Sequence, residues 1–356
     1  MKRKSYVLFG IVLFAAIGLM RMRGKGTKAE INPVPGSCTI FSAAVGDKVL
    51  FGNNEDYYKS QTFLWTEPAT EGNYGCIYLG FKSYLHQGGI NEKGLCFDAN
   101  ALPRSKINLH AELGLPPNYE KPYEEIVLWI PVLILRKAAT VEEAIEIARK
   151  YQRKNWYPIS GNLEYQLNFA DAKGDAVVIS VDENGELAFT RKAENENFLI
   201  STNYNRANPE NALEYPCERY KITEEKLQGI KTEAGLSVDL FKSILEAVHE
   251  KGIFSRTLYS NIFDLKKGLI YLYYKHQYNE VVVLNVKDEL AKAHYNVQMR
   301  DLFSSETTGK ASREYILSIF LLCTSIIGGT AFMIVGLRYL KKRRLKTAMA
   351  KHSAKQ

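Results

Sequence analysis

A layered α+β sandwich held outside a membrane is what the 356-residue sequence predicts. Three observations carry it. Groups of short strand patterns alternate with pairs of segments at helical spacing, which points to stacked layers and away from a βαβ parallel sheet. An uncharged apolar run, Tyr315 to Leu337, is long enough to cross a bilayer, which takes about 20 residues. A tail with eight basic residues and no acid follows that run.

The elements follow in chain order. Tyr6 to Met20 is apolar and preceded by Lys2, Arg3 and Lys4, the pattern of a signal sequence. Arg21, Arg23 and Lys25 come directly after it, and no A-x-A cleavage site is clear. An uncleaved anchor and a signal cut later both stay open. Residues 21–37 are rich in Gly, Lys and Pro and read as an exposed linker. "CTIFSAAV" and "KVLFGN" are strands around a Gly46-Asp47 hairpin turn, and "GCIYLGF" and "GLCFDANAL" are two more. Gly88-Gly89 and "NEKG" read as turn chemistry. "YEEIVLWIPVLILRKAA" and "TVEEAIEIARKYQ" have helical spacing, and Thr140 with Glu143 makes a capping box. Strands return in "LEYQLNFA", "DAVVISVD", "GELAFTRK" and "NFLISTNY", with turns at Lys173-Gly174 and Asn184-Gly185. Helices are expected in "NALEYPCERYKITEEKLQ" and "SVDLFKSILEAVHE", then strands in "GLIYLYYKH" and "NEVVVLNV". "SSETTGKASR" reads as a polar stalk before the membrane span.

Charge excludes one class of function. Residues 1–37 carry seven basic residues and one acid, and the tail eight basic residues, so the chain's net +8 leaves residues 38–337 at −6. The basic balance belongs to the membrane flanks, and nucleic-acid binding, which needs basic residues grouped on a folded face, is not indicated. Cys323 lies in the span. Cys38, Cys76, Cys96 and Cys217 could form two disulfides or none. No C-x-x-C pair and no histidine pattern offers a metal site, so neither metal nor cofactor is expected.

Cys38 stands alone at the head of a hairpin whose far end is the polar cluster Asn53-Asn54-Glu55-Asp56. A thiol nucleophile needs a base, and none of the histidines sits in a papain- or caspase-type signature. The alternative is a cysteine that begins the mature chain. Its own α-amino group, with a pKa near 7.7–8.0, then serves as the base.

"CTIF…KVLFGNNEDY", "GGINEKGLCFDAN", "ISTNYN" and "CERY", in that order across roughly residues 38–290, resemble the choloylglycine hydrolase / penicillin V acylase group of linear-amide C–N hydrolases. These belong to the N-terminal nucleophile hydrolases. The resemblance implies an αββα four-layer sandwich and self-cleavage that exposes the cysteine. It implies Cys38 as nucleophile and base, Asp56 as the holder of its α-amino group, and Asn100 and Asn203 as oxyanion donors. It also implies Arg219 as a cation near the thiol. Asn53 stands where bile-salt and penicillin V enzymes carry arginine. That position bears on substrate binding, and its change points away from both of those substrates.

The expected organisation is a signal/anchor and propeptide over 1–37, a hydrolase domain over 38–303, a stalk over 304–314, a transmembrane helix over 315–337 and a basic tail over 338–356. Basic flanks stay cytoplasmic, so the domain is expected outside the cell membrane. The function expected is hydrolysis of a small N-acyl amide through a thioester. An acyltransferase or a cysteine dipeptidase on the same scaffold, and an inactive surface binding protein, are the alternatives. Acyl group, amine and oligomeric state are not written in the sequence.

Overall fold

The computed structural model describes residues 38–57, 61–81, 84–106, 130–150, 162–193, 195–211, 215–253 and 255–353. The expected signal or anchor segment and propeptide, 1–37, lie outside the described residues, as do residues 123–129 of the first expected helix.

Fourteen strands are described, and they form two antiparallel sheets. The six-stranded sheet runs β10(Phe198–Ser201), β1(Thr39–Val45), β2(Lys48–Tyr57), β11(Arg256–Asp264), β12(Leu269–Tyr274), β13(Gln277–Asn285). The eight-stranded sheet runs β14(Asn296–Gln298), β3(Thr62–Glu67), β4(Cys76–Phe81), β5(Leu85–Asn91), β6(Cys96–Lys106), β7(Asn162–Ala170), β8(Ala176–Val181), β9(Leu187–Arg191). Helices α1(Ile130–Lys137) and α2(Val141–Lys150) cover the larger sheet. Helices α3(Glu218–Gln228) and α4(Val238–Val248) cover the smaller one.

Alternation along the strands sorts the core into three layers. Ile40, Val49, Phe51, Cys96, Ala170 and Phe263 point between the sheets. Phe41, Ala43, Leu50 and Ile262 point the other way, onto Phe241, Ile244 and Leu245 of α4. Phe97, Leu167 and Phe169 point onto Ile134, Leu135 and Ala144 of α1 and α2. This is the αββα four-layer sandwich.

The local signals act as the residue types dictate. Gly46 turns the β1–β2 hairpin at φ +60°, where a side chain would be strained. The Glu143 N–H donates to Thr140 Oγ1 at 3.2 Å, and Glu143 Oε2 accepts from the Ala139 N–H at 2.6 Å. Ser237 caps α4 by accepting from the Leu240 N–H.

Several expectations change. Helix α3 starts at Glu218, not Asn211, because Pro216 disfavours helical backbone at the residue before it. Gly88-Gly89 lies inside β5, not in a turn. A Cβ on Gly88 would sit 2.4 Å from Asp98 Oδ2, so glycine there makes room for a buried carboxyl. "NEKG" does turn, with Gly94 at φ +81°. Strands β3, β5, β11 and β14 are additional to those read from the sequence. All five cysteines are free thiols. The stalk is helical. It opens α6(Ser305–Ser353), whose first turns bury Thr308 and Ala311. α5(Val286–Leu290) completes the α-helices named here. The compact unit that holds both sheets ends at Ser312. Over Ser305–Tyr339, α6 is long and apolar enough to cross a membrane by length and composition. Ile316, Phe320, Ile327 and Phe332 on it are exposed.

Candidate active site

At one end the layer between the sheets turns from apolar to polar. The β1–β2 ladder pairs Thr39 with Asn54 and Ile40 with Asn53. Its next step sets Cys38 opposite Glu55. The β2–β11 ladder pairs Glu55 with Tyr259 and Asn53 with Asn261. Cys38, Glu55 and Tyr259 therefore form one row across three strands, with Asn53 and Asn261 in the row below. Alternation puts both rows on the face that carries Ile40 and Phe51, toward the larger sheet. From that sheet Asp98 and Asn100 of β6, and Gln166 and Asn168 of β7, face them on the Cys96 and Ala170 side. All of these residues are buried.

Hydrogen bonds clamp the backbone of Cys38. Its carbonyl accepts from Asn100 Nδ2 at 3.2 Å and from Arg219 Nη1 at 2.7 Å. Asn100 is itself oriented, since its Oδ1 accepts from Asn168 Nδ2 at 2.9 Å and from Ser201 Oγ. Gln166 Nε2 in turn donates to Ser201 Oγ at 2.8 Å. Arg219, in the first turn of α3, also donates to Thr39 Oγ1 at 2.7 Å and to Asn203 Oδ1 at 3.0 Å. Asn203 Nδ2 donates to the Ala101 carbonyl at 3.0 Å. Four of the residues singled out in the sequence, Cys38, Asn100, Asn203 and Arg219, thus share one network. The guanidinium bonds to the carbonyl of Cys38.

Asp56 lies on the opposite face of β2. Its Oδ1 accepts from Thr257 Oγ1, and its buried Oδ2 has no partner among the described residues. Asn53 is fully buried, and its Nδ2 donates to Asp98 Oδ2 at 2.8 Å. It is therefore turned into the interior and engaged with a carboxyl. Glu55, Asp98, Tyr259, Thr257 and the Gln166–Ser201–Asn168 support were not singled out in the sequence. The signal for Glu55 was present: strand alternation alone places it on the face of Asn53.

Burial dominates the electrostatics. It pushes the Cys38 thiol well above its ordinary value, and the carboxyls of Glu55 and Asp56 add to the rise. Burial also raises Glu55 and Asp98, and Asp98 adds to the rise at Glu55. Asp56 is raised by burial against the opposing charge of Arg219. Groups raised this way take up protons on folding. Their contribution to stability is complete below the unfolded carboxyl pKa of about 4 and is lost as pH rises through the folded values. Thermal melts of an uncut Cys38→Ala chain should therefore give a lower midpoint at pH 8 than at pH 5, and the reverse order would contradict this reading of the cluster.

No family model and no curated protein matches the sequence. Solved structures do match the fold. Penicillin V acylase from Agrobacterium tumefaciens aligns at 17% identity and TM-score 0.55, over 73% of this chain and 91% of that one. A variant of conjugated bile acid hydrolase from Clostridium perfringens aligns at 16% identity and TM-score 0.53, over 73% of this chain and 96% of its own. The fold is theirs. It is the αββα sandwich that the resemblance implied.

Proposed function

We propose that the chain is a self-maturing cysteine amidohydrolase, held to a membrane by α6, that cleaves a small N-acyl amide through a thioester. The observation that carries this is Cys38 itself. It is a buried thiol at the head of β1, with its carbonyl held by Asn100 and Arg219. Fixing the nucleophile before the reaction lowers the entropic part of the barrier.

Self-cleavage before Cys38 would free its α-amine. The unpartnered Oδ2 of Asp56 is a buried acceptor suited to hold that amine. The thiol attacks the amide carbonyl, and the amine takes the thiol proton and passes it to the leaving nitrogen. Water, deprotonated by the same amine, then releases the acid from the thioester. Asn100 and Asn203 each have a second amide N–H beyond the one already bonded, and these are the donors offered to the oxyanion. The neighbours are named for penicillin V and conjugated bile acids. Asn53, bonded to Asp98, supports a different acyl amide here. Edman sequencing of purified protein tests the reading, with Cys38 expected as the first residue. An uncut chain would favour an inactive binding protein on this scaffold.

Topology is part of the proposal. The eight basic residues beyond Leu337 put the tail in the cytoplasm and the domain outside. Protease added to intact cells should remove the domain and spare a C-terminal tag. Loss of the tag with the domain protected would reverse the orientation.

A further inference from the structure

The first cut poses a problem that the mature reaction does not. Before cleavage the nitrogen of Cys38 belongs to a peptide bond and has no basicity, so the base of the mature site does not yet exist. The row across the sheet supplies a different group. Continued one residue beyond its last pair, Thr39 with Asn54, the β1–β2 register brings Glu55 opposite Cys38. Side chains of directly opposed residues share a face, with Cβ atoms about 4.5–5.5 Å apart.

From this geometry we propose that Glu55 is the general base of self-maturation, accepting the Cys38 thiol proton in the uncut chain. This rests on the proposed function, because it presumes that the chain cuts itself. The step balances. The S–H proton passes to the Glu55 carboxylate as sulfur attacks the carbonyl carbon of the peptide bond before Cys38. That C–N bond breaks, and the nitrogen takes the proton back from Glu55 and becomes the α-amine. A thioester on Cys38 remains, and water hydrolyses it to a carboxylate and the free thiol.

The surroundings of Glu55 fit the task. Asn53, on the same face one row below, donates to Asp98 Oδ2 at 2.8 Å, and Cys38 and Asn53 both act on the Glu55 carboxyl to offset part of the rise that burial causes. Among the described residues, Oε2 of Glu55 is buried without a partner, as is the hydroxyl of Tyr259 in the same row. An orphaned buried polar atom is costly to a fold. That cost suits a group that must stay open to a moving proton. Burial and Asp98 also raise the carboxyl, which makes its ionised form a stronger proton acceptor than an exposed glutamate. Asn53 suits the role, since an arginine there would lower the carboxyl's affinity for a proton and weaken it as a base.

The test follows cleavage in full-length chain made by cell-free synthesis in detergent micelles, with aliquots quenched in denaturant and weighed by mass spectrometry. The wild-type chain should be cut before Cys38, and Glu55→Gln should slow that cut about 100-fold, the lower range for a lost general base. Hydroxylamine, which cleaves thioesters and spares amides, should not restore the mutant's rate, because its thioester never forms. A wild-type rate in Glu55→Gln overturns the assignment, and so does full rescue by hydroxylamine, which would place the defect after thiol attack. A wild-type chain that never cuts instead overturns self-maturation itself, and the assignment with it. Should Glu55→Gln lose its cooperative melt, Glu55→Asp replaces it. That variant keeps the charge but withdraws it by one methylene, and cleavage at an unchanged rate overturns the role.

Discussion

Replacing Cys38 with alanine is expected to leave the chain uncut and to bring amide turnover down to background. Loss of the nucleophile in a comparable hydrolase costs about a million-fold in kcat. Both effects have one cause under the proposed mechanism, in which the same sulfur attacks the peptide bond before residue 38 and later the substrate amide. The fold should survive. Cys38 precedes β1 and packs in the polar part of the inter-sheet layer, so the change removes one small atom from no apolar cluster. Cys38→Ser separates the two reactions. Its hydroxyl can carry out a slow acyl shift, and the processed serine protein should then turn over amide far more slowly than the cysteine protein. Near-normal turnover by processed Cys38→Ser would falsify the thiol mechanism. Maturation of Cys38→Ala at Ser37–Cys38 would show that another protease makes the cut.

Local chemistry made much of this fold legible. Gly46-Asp47 marks the hairpin that positions Cys38 and Asp56, and Thr140 with Glu143 marks the start of α2. Both signals act within a few residues of chain. The central strand β11 was hidden for a physical reason. Its polar residues serve the site: Thr257 donates to Asp56 and Ser260 Oγ donates to Asn54 Oδ1. Asn261 sits with both amide atoms unpartnered among the described residues. These residues break the apolar run by which a buried strand is read. Gly88-Gly89 misled in the same way, because glycine serves close approach as well as turns. For the candidate site, motif order pointed to Cys38, Asp56, Asn100, Asn203 and Arg219, of which the structure joins Cys38, Asn100, Asn203 and Arg219 in one hydrogen-bond network. It could not supply Glu55, Asp98 and Tyr259, which meet only through the register of three strands and the stacking of two sheets. The departure at Asn53 was visible as a lost cation, and only its bond to Asp98 shows what stands in the cation's place.

Asn100→Ala should lower kcat by about 100- to 1,000-fold, the loss measured when one oxyanion donor is removed from a hydrolase. Two effects combine in that figure. The amide of Asn100 holds the carbonyl of the nucleophile, and its second N–H is offered to the oxyanion. Removing it frees the backbone of Cys38 on one side, although Arg219 still holds the same carbonyl at 2.7 Å. It also leaves Asn168 Nδ2 and Ser201 Oγ without the acceptor they share, which is a stability cost of about 1–3 kcal/mol for each group left unsatisfied. A thermal melt measures that second cost separately. The kinetic signature distinguishes the two roles. A donor that acts in the transition state lowers kcat with KM little changed. A binding residue would raise KM instead. Steady-state kinetics of matured Asn100→Ala on any accepted amide decide between them, and a change confined to KM would remove Asn100 from the oxyanion site and leave it only as the clamp on Cys38.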